Sequence, residues 1–128
     1  MATRPSVPTT LFEKIWTAHK VLQRPDGQSL LYVDRHLIHD GYQPAFEFLA
    51  ARNLRTRRPD LTFGTPDHYI PTSSGRSLVT ITDPERRGMV DSLTDNARAS
   101  GITVFDLNDR RQGIVHIIGP EQGISQPG

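Results

Sequence analysis

Ten prolines and ten glycines punctuate a chain of 128 residues and limit it to short elements joined by turns. Between these stops, helical and strand-like patterns alternate. Thr10 opens the first helix, with Glu13 three residues on as its capping-box partner. Leu11, Ile15, Ala18 and Leu22 then fall on one face, beside Phe12 and Trp16. His19 rides on this helix as a partly exposed residue. Arg24-Pro25-Asp26-Gly27 is a turn that breaks the helix. Residues 30–33 are short, apolar and bounded by turn signals, which fits a buried strand. Pro44 suits the first turn of a second helix over 44–52, with Ala45, Phe46, Leu49 and Ala50 as its apolar stripe. Residues 61–65 are the next strand. Asp83, Pro84 and Glu85 are a cap, a first-turn proline and a first-turn acid, and predict a helix to about Ser100 that stops at Gly101. Residues 102–107 and 113–119 read as two further strands, with His116 at the centre of the second. The order helix, strand, helix, strand, helix, strand, strand is that of an α/β protein. Residues 1–9 are expected to be a disordered lead-in, and 10–128 a single α/β domain.

Composition excludes several classes of function. The chain has no cysteine, so it forms no disulfide and offers no thiolate to zinc or to an iron–sulfur cluster. A formal net charge of +1 gives no global field to draw in nucleic acid or anionic lipid. No apolar run approaches the roughly 20 residues that span a bilayer. The N-terminus lacks the apolar stretch of a secretory signal, and a cytoplasmic location is expected.

The stretch 62–72 carries the strongest chemical signal. A strand-like run stops at Pro66, Asp67-His68 follows, and Pro71 makes a second stop. Ligands of α/β proteins bind beyond the carboxyl ends of strands. A carboxylate beside an imidazole stabilises the imidazolium and fixes which nitrogen holds the proton. Such dipeptides are also common in surface loops. His116 needs a hydrogen-bond partner or a polar cavity if it sits in an apolar strand. His36 and His39 would share a helix face and invite a metal hypothesis, but no third ligand stands at a suitable spacing, so no metal site is assigned. Arg52, Arg55, Arg57 and Arg58 are a basic cluster suited to phosphate or carboxylate, or equally to a solvated loop. Residues 72–76 are polar and read as a mobile loop.

Several of these runs resemble one family. Leu31-Tyr32-Val33-Asp34-Arg35-His36-Leu37-Ile38-His39 and Gln112-Gly113-Ile114-Val115-His116-Ile117-Ile118-Gly119-Pro120-Glu121-Gln122-Gly123 are its most specific motifs. Residues 10–19 and 58–63, Asp67-His68 and residues 105–108 add to the match. Together they resemble the beginning of the large subunits of the 3-isopropylmalate dehydratases, in the aconitase family. The resemblance covers almost the whole chain from Thr10 on.

The resemblance implies a partial three-layer α/β/α unit with a mixed sheet flanked by helices. It implies a hydro-lyase of leucine biosynthesis that moves a hydroxyl between neighbouring carbons of a diacid by dehydration and rehydration. It places His68 as proton donor to the departing hydroxyl, Asp67 as its orienting carboxylate and His116 as a second active-site histidine. It places Asp34 and His36 near the substrate. It further implies a 4Fe-4S cluster in the complete enzyme, not bound by this chain, and a heterodimer with a separate small subunit. The family's Asp-Ser-His motif and its three cluster cysteines are absent from these residues. The expectation is therefore an N-terminal piece of the large subunit, inactive alone. A non-catalytic truncated homologue that binds a partner, or a piece of a related hydro-lyase such as homoaconitase or a citraconate or maleate hydratase, is the alternative. Gly64, Pro66 and Tyr69 stand where the family commonly has Ala, Met and Asn.

Overall fold

The computed structural model describes residues 8–126. Most of the expected lead-in, residues 1–7, lies outside the described residues. The chain forms two compact units, divided after Asp34.

In residues 8–34, helix α1 (Leu11–His19) starts at the predicted capping box. Glu13 N–H donates to Thr10 Oγ1 over 3.2 Å, and the Glu13 carboxylate accepts the Thr10 N–H over 2.7 Å. The helix is shorter than the apolar spacing through Leu22 predicts. Lys20 already has extended backbone, and β1 (Lys20–Gln23) pairs antiparallel with β2 (Ser29–Leu31). The turn between them uses Gly27 at φ 87°. Tyr32 N–H donates to the His19 carbonyl over 2.8 Å, which ties the hairpin back to the helix end. Ladder hydrogen bonds to β2 therefore outweigh one more helical turn. The expected buried strand at 30–33 is corrected too: β2 is exposed apart from half-buried Ser29, with Leu30 57% accessible.

Residues 35–126 hold a three-stranded sheet of order β3-β4-β5, made of β3 (His36–Ile38), β4 (Thr62–Gly64) and β5 (Thr103–Val104). Both pairings are parallel, with Ile38 opposite Gly64 and Gly64 opposite Val104. Parallel neighbours require crossover connections. Helix α2 (Gln43–Ala51) supplies the first and α3 (Pro84–Ala99) the second. Strand β5 is shorter than the expected 102–107, because after Val104 the chain turns through Asp106, whose carboxylate takes the Asn108 N–H over 2.9 Å.

Helix α3 begins as the sequence predicts. Asp83 Oδ1 accepts the N–H groups of Glu85 and Arg86 at 2.9 and 3.3 Å. Val90, Leu93 and Ala97 recur at helical spacing and are all buried. After Ser100 the helix stops at Gly101, at φ 72°. Leu93, Ala97, Ile38 and Ile102 form the core, with Tyr42, Phe46 and Val104 packed against it. Each fully buried Leu or Ile side chain contributes about 1.5–3 kcal/mol.

Alternation along β3 places Leu37 on the sheet face opposite Ile38. That second face is covered by helix α4 (Val115–Glu121), which buries Val115, Ile118 and Gly119. A Cβ on Gly119 would sit 3.4 Å from Leu37 Cδ1, so the helix approaches β3 closely. Helices thus cover both faces of the sheet, the arrangement expected of an aconitase-type α/β unit. Helix α4 corrects the expected strand at 113–119. Among the described residues no helix is long and apolar enough to cross a membrane.

Candidate active site

The end of β4 is fixed before its chemistry begins. Thr65 and Pro66 are fully buried. Thr65 N–H donates to the Ile38 carbonyl over 3.0 Å, and its hydroxyl donates to the Gly113 carbonyl over 3.1 Å. The Gln112 side-chain amide donates to the Pro66 carbonyl over 2.7 Å, and Arg76 donates to the Gln112 amide oxygen. Arg76 thus anchors the end of the expected loop 72–76. Asp109, in the turn just before Gln112, is held down at about 2 by its side-chain hydrogen bond from Arg111.

Asp67 and His68 emerge from this anchored end. The Asp67 side chain is only 4% exposed, while His68 is half exposed. Asp67 Oδ2 accepts the Val115 N–H over 2.7 Å, capping α4 from outside the helix. Its Oδ1 hydrogen-bonds His68 Nδ1. With Nδ1–H given to the carboxylate, Nε2 is the nitrogen left to exchange a proton with a ligand.

Strand β3 ends in a second acid–imidazole pair, His39-Asp40. The Asp40 side chain is wholly buried. Its Oδ2 accepts the backbone N–H groups of His68 and Tyr69 at 3.2 and 2.9 Å. The His39 ring stacks on the His68 ring, with centroids 4.2 Å apart and planes 21° apart. Tyr42 meets His39 edge-on at 5.2 Å. A Cβ on Gly41 would lie 2.9 Å from His39 Cε1, so a glycine there makes room for the stacked ring.

Leu37, His39, Tyr42, His68, Val115 and His116 line a cavity of about 320 Å³. His116 is therefore brought to His68, from the first turn of α4 and with its own surface exposed. An apolar run of seven residues does not separate strand from helix by periodicity. Here burial of Val115, Ile118 and Gly119 at three- and four-residue spacing decides for helix. Two larger clefts, of about 490 and 560 Å³, lie at the C-terminal and N-terminal ends of α2 and α3. We place the chemistry in the smaller one, because there three imidazoles converge.

His36 lies on β3, not a helix, and its ring meets Tyr42 at 5.5 Å; it is not among the residues lining the cavity. Asp34 belongs to the 8–34 unit, where its carboxylate bonds His19 Nε2 over 2.6 Å. His19 Nδ1 faces the Ile15 carbonyl at 2.7 Å, so both ring nitrogens meet acceptors. Asp34 and then Ile15 accordingly raise the pKa of His19. In the basic cluster, Arg58 forms a two-point ion pair with Asp60, and Arg52 lies 3.6 Å over the Phe48 ring. From the sequence, His39 is weighed only as a metal ligand beside His36, and Asp40 is not singled out. The signal that points to His39 and Asp40 is a second acid–imidazole dipeptide at the end of a strand adjacent to β4.

His39, Asp40, Asp67 and His68 each place a donor atom within 4.8 Å of the others, close enough to suit a divalent cation. Several atoms of these groups are already hydrogen-bonded. Gly41 N–H donates to His39 Nδ1 over 3.1 Å, and both Asp67 oxygens are engaged. A cation held through those atoms would displace these contacts.

Residues 13–128 match the aconitase family (aconitate hydratase). The chain belongs to the aconitase family. No solved structure matches it. Aconitase-family chemistry is that of hydro-lyases, and the complete enzymes usually carry a 4Fe-4S cluster. These clusters are held mainly by cysteine thiolates. The imidazoles and carboxylates assembled here do not fit that role, and the chain has no cysteine. What they fit is acid–base work on a ligand in the cavity.

Proposed function

We propose that this chain forms the proton-donor wall of a 3-isopropylmalate dehydratase, within its large subunit. The observation that carries the reading is Asp67-His68 at the carboxyl end of β4, with His68 facing the cavity that His116 also lines. Family membership supports the hydro-lyase class. The specific runs at 31–39 and 112–123 support the isopropylmalate branch.

In this reading His68 Nε2–H donates its proton to the departing hydroxyl as the carbon–oxygen bond breaks and water leaves, while a base of the assembled site takes the proton from the neighbouring carbon and that bond pair becomes the double bond of the unsaturated intermediate. Rehydration returns a proton by the same route in reverse. Asp67 holds the ring through Nδ1 and stabilises the imidazolium, the form that carries the Nε2 proton before transfer. His116 shapes the pocket from α4. The family resemblance alone also assigns Asp34 and His36 to the substrate in the assembled enzyme. A cluster held elsewhere in the assembled enzyme would supply Lewis-acid activation of the substrate, and no residue of this chain would hold it. The rest of the large subunit and the small subunit complete the site.

The test is substrate choice in the assembled enzyme. Dehydration is followed by absorbance of the unsaturated intermediate. The reading predicts turnover of 2- and 3-isopropylmalate, with kcat/KM at least about tenfold above homocitrate, citramalate and malate, a difference of about 1.4 kcal/mol. A clear preference for one of those other acids would replace the isopropylmalate assignment while keeping the lyase class.

A further inference from the structure

Asp40 is the most completely buried carboxylate of the site, and the reaction scheme above gives it no task. Its surroundings give it two. Oδ2 gathers the N–H groups of His68 and Tyr69, at 3.2 and 2.9 Å, from the loop beyond β4. Oδ1 lies 3.6 Å from His68 Nδ1, 3.4 Å from the His68 N–H and 3.3 Å from His39 Nδ1. Those Oδ1 contacts are longer than an ordinary hydrogen bond. His39 Nδ1 is itself an acceptor, from Gly41 N–H, so it brings no proton to Asp40 in this arrangement. One oxygen of a buried carboxylate thus holds the His68 backbone. The other faces two stacked imidazoles with its charge little used. The imidazoles of His39 and His68 are both in ion-pair contact with Asp40.

We propose that Asp40 is the positioning residue for His68: through Oδ2 it sets where the imidazole stands, and with the His39 ring stacked on it, it sets the plane of that ring. Strand β3 thereby aims the proton donor carried by β4. The inference rests on His68 being the acid, and it adds a residue that does not touch the substrate. Misplacing a catalytic group by an ångström costs about 10²-fold in rate.

The design of Asp40 makes the test selective. Both backbone donors converge on Oδ2, so the oxygen of an asparagine can replace it and hold the loop. Alanine cannot. In the assembled enzyme, Asp40→Ala should lower kcat by about 10²-fold with KM little changed, and Asp40→Asn should stay within about fivefold of the parent. In the His68→Ala background, Asp40→Ala should cost less than about twofold more, because residues acting as one unit are not additive. In the free chain, amide exchange of His68 and Tyr69 should speed up by at least about tenfold in Asp40→Ala. Exchange in α3 should stay within twofold, which separates local release from unfolding. The proposal is overturned if Asp40→Ala keeps kcat within twofold, if Asp40→Asn is as slow as alanine, or if the two losses multiply in the double variant. If His68→Ala itself keeps the parent rate, the acid assignment fails, and Asp40 loses the role proposed for it.

Discussion

Asp67 uses its two oxygens for two different elements. One takes the Val115 N–H at the start of α4, and the other takes His68 Nδ1. The carboxylate that orients the imidazole is thus also the cap that seats His116 beside it. This dual use was not legible in the chain, because it joins residues 48 apart in sequence. The Asp67-His68 dipeptide itself was legible, since a proline stop and an acid–imidazole pair are both local. His19 offers a test at the same scale. Its ring donates to Asp34 and to the Ile15 carbonyl, and its pKa is raised above 6.5 chiefly by Asp34. A raised folded value means the protonated ring is the stabilised form. The stabilisation is full below pH 6.5 and is lost as pH rises through the folded value. Asp34→Asn should therefore lower the His19 midpoint, read from its ring proton resonances across pH 5–9. An unchanged midpoint would mean that the pair does not form in solution.

Among the elements, those with chemical start and stop signals were readable. Thr10 with Glu13, Asp83 with Pro84, and Gly101 each satisfy or release backbone groups locally, and the structure uses all three. Two readings that lack such signals differ from the structure. Helix α1 ends three residues before Leu22, because β1 is set by pairing with β2 rather than by its own spacing. Residues 115–121 are helical because α4 must lay Val115, Ile118 and Gly119 against the sheet, a constraint from tertiary packing. The α3 cap can be checked. Asp83→Ala removes the acceptor of two helix N–H groups and should destabilise the protein by about 1 kcal/mol in a urea titration. A change under about 0.3 kcal/mol would show that water replaces the carboxylate without loss.

At the scale of the molecule, the alternation of helix and strand was enough to set the α/β class, and parallel crossovers explain why the two acid–imidazole pairs meet. Parallel strands end on the same side, so β3 and β4 deliver His39-Asp40 and Asp67-His68 to one edge of the sheet. The α4 segment reaches that edge through Val115 and His116. Sequence spacing alone does not reveal that Asp40 and Tyr69, 29 residues apart, are hydrogen-bonded. The central claim is that this edge donates a proton through His68. The most direct measurement is kcat of His68→Ala in the assembled enzyme, with the cluster spectrum as the control for an intact site. The account predicts a fall of about 10² to 10⁴ in kcat with KM little changed and the spectrum unaltered. A kcat within about twofold of the parent, well under 1 kcal/mol, would contradict it.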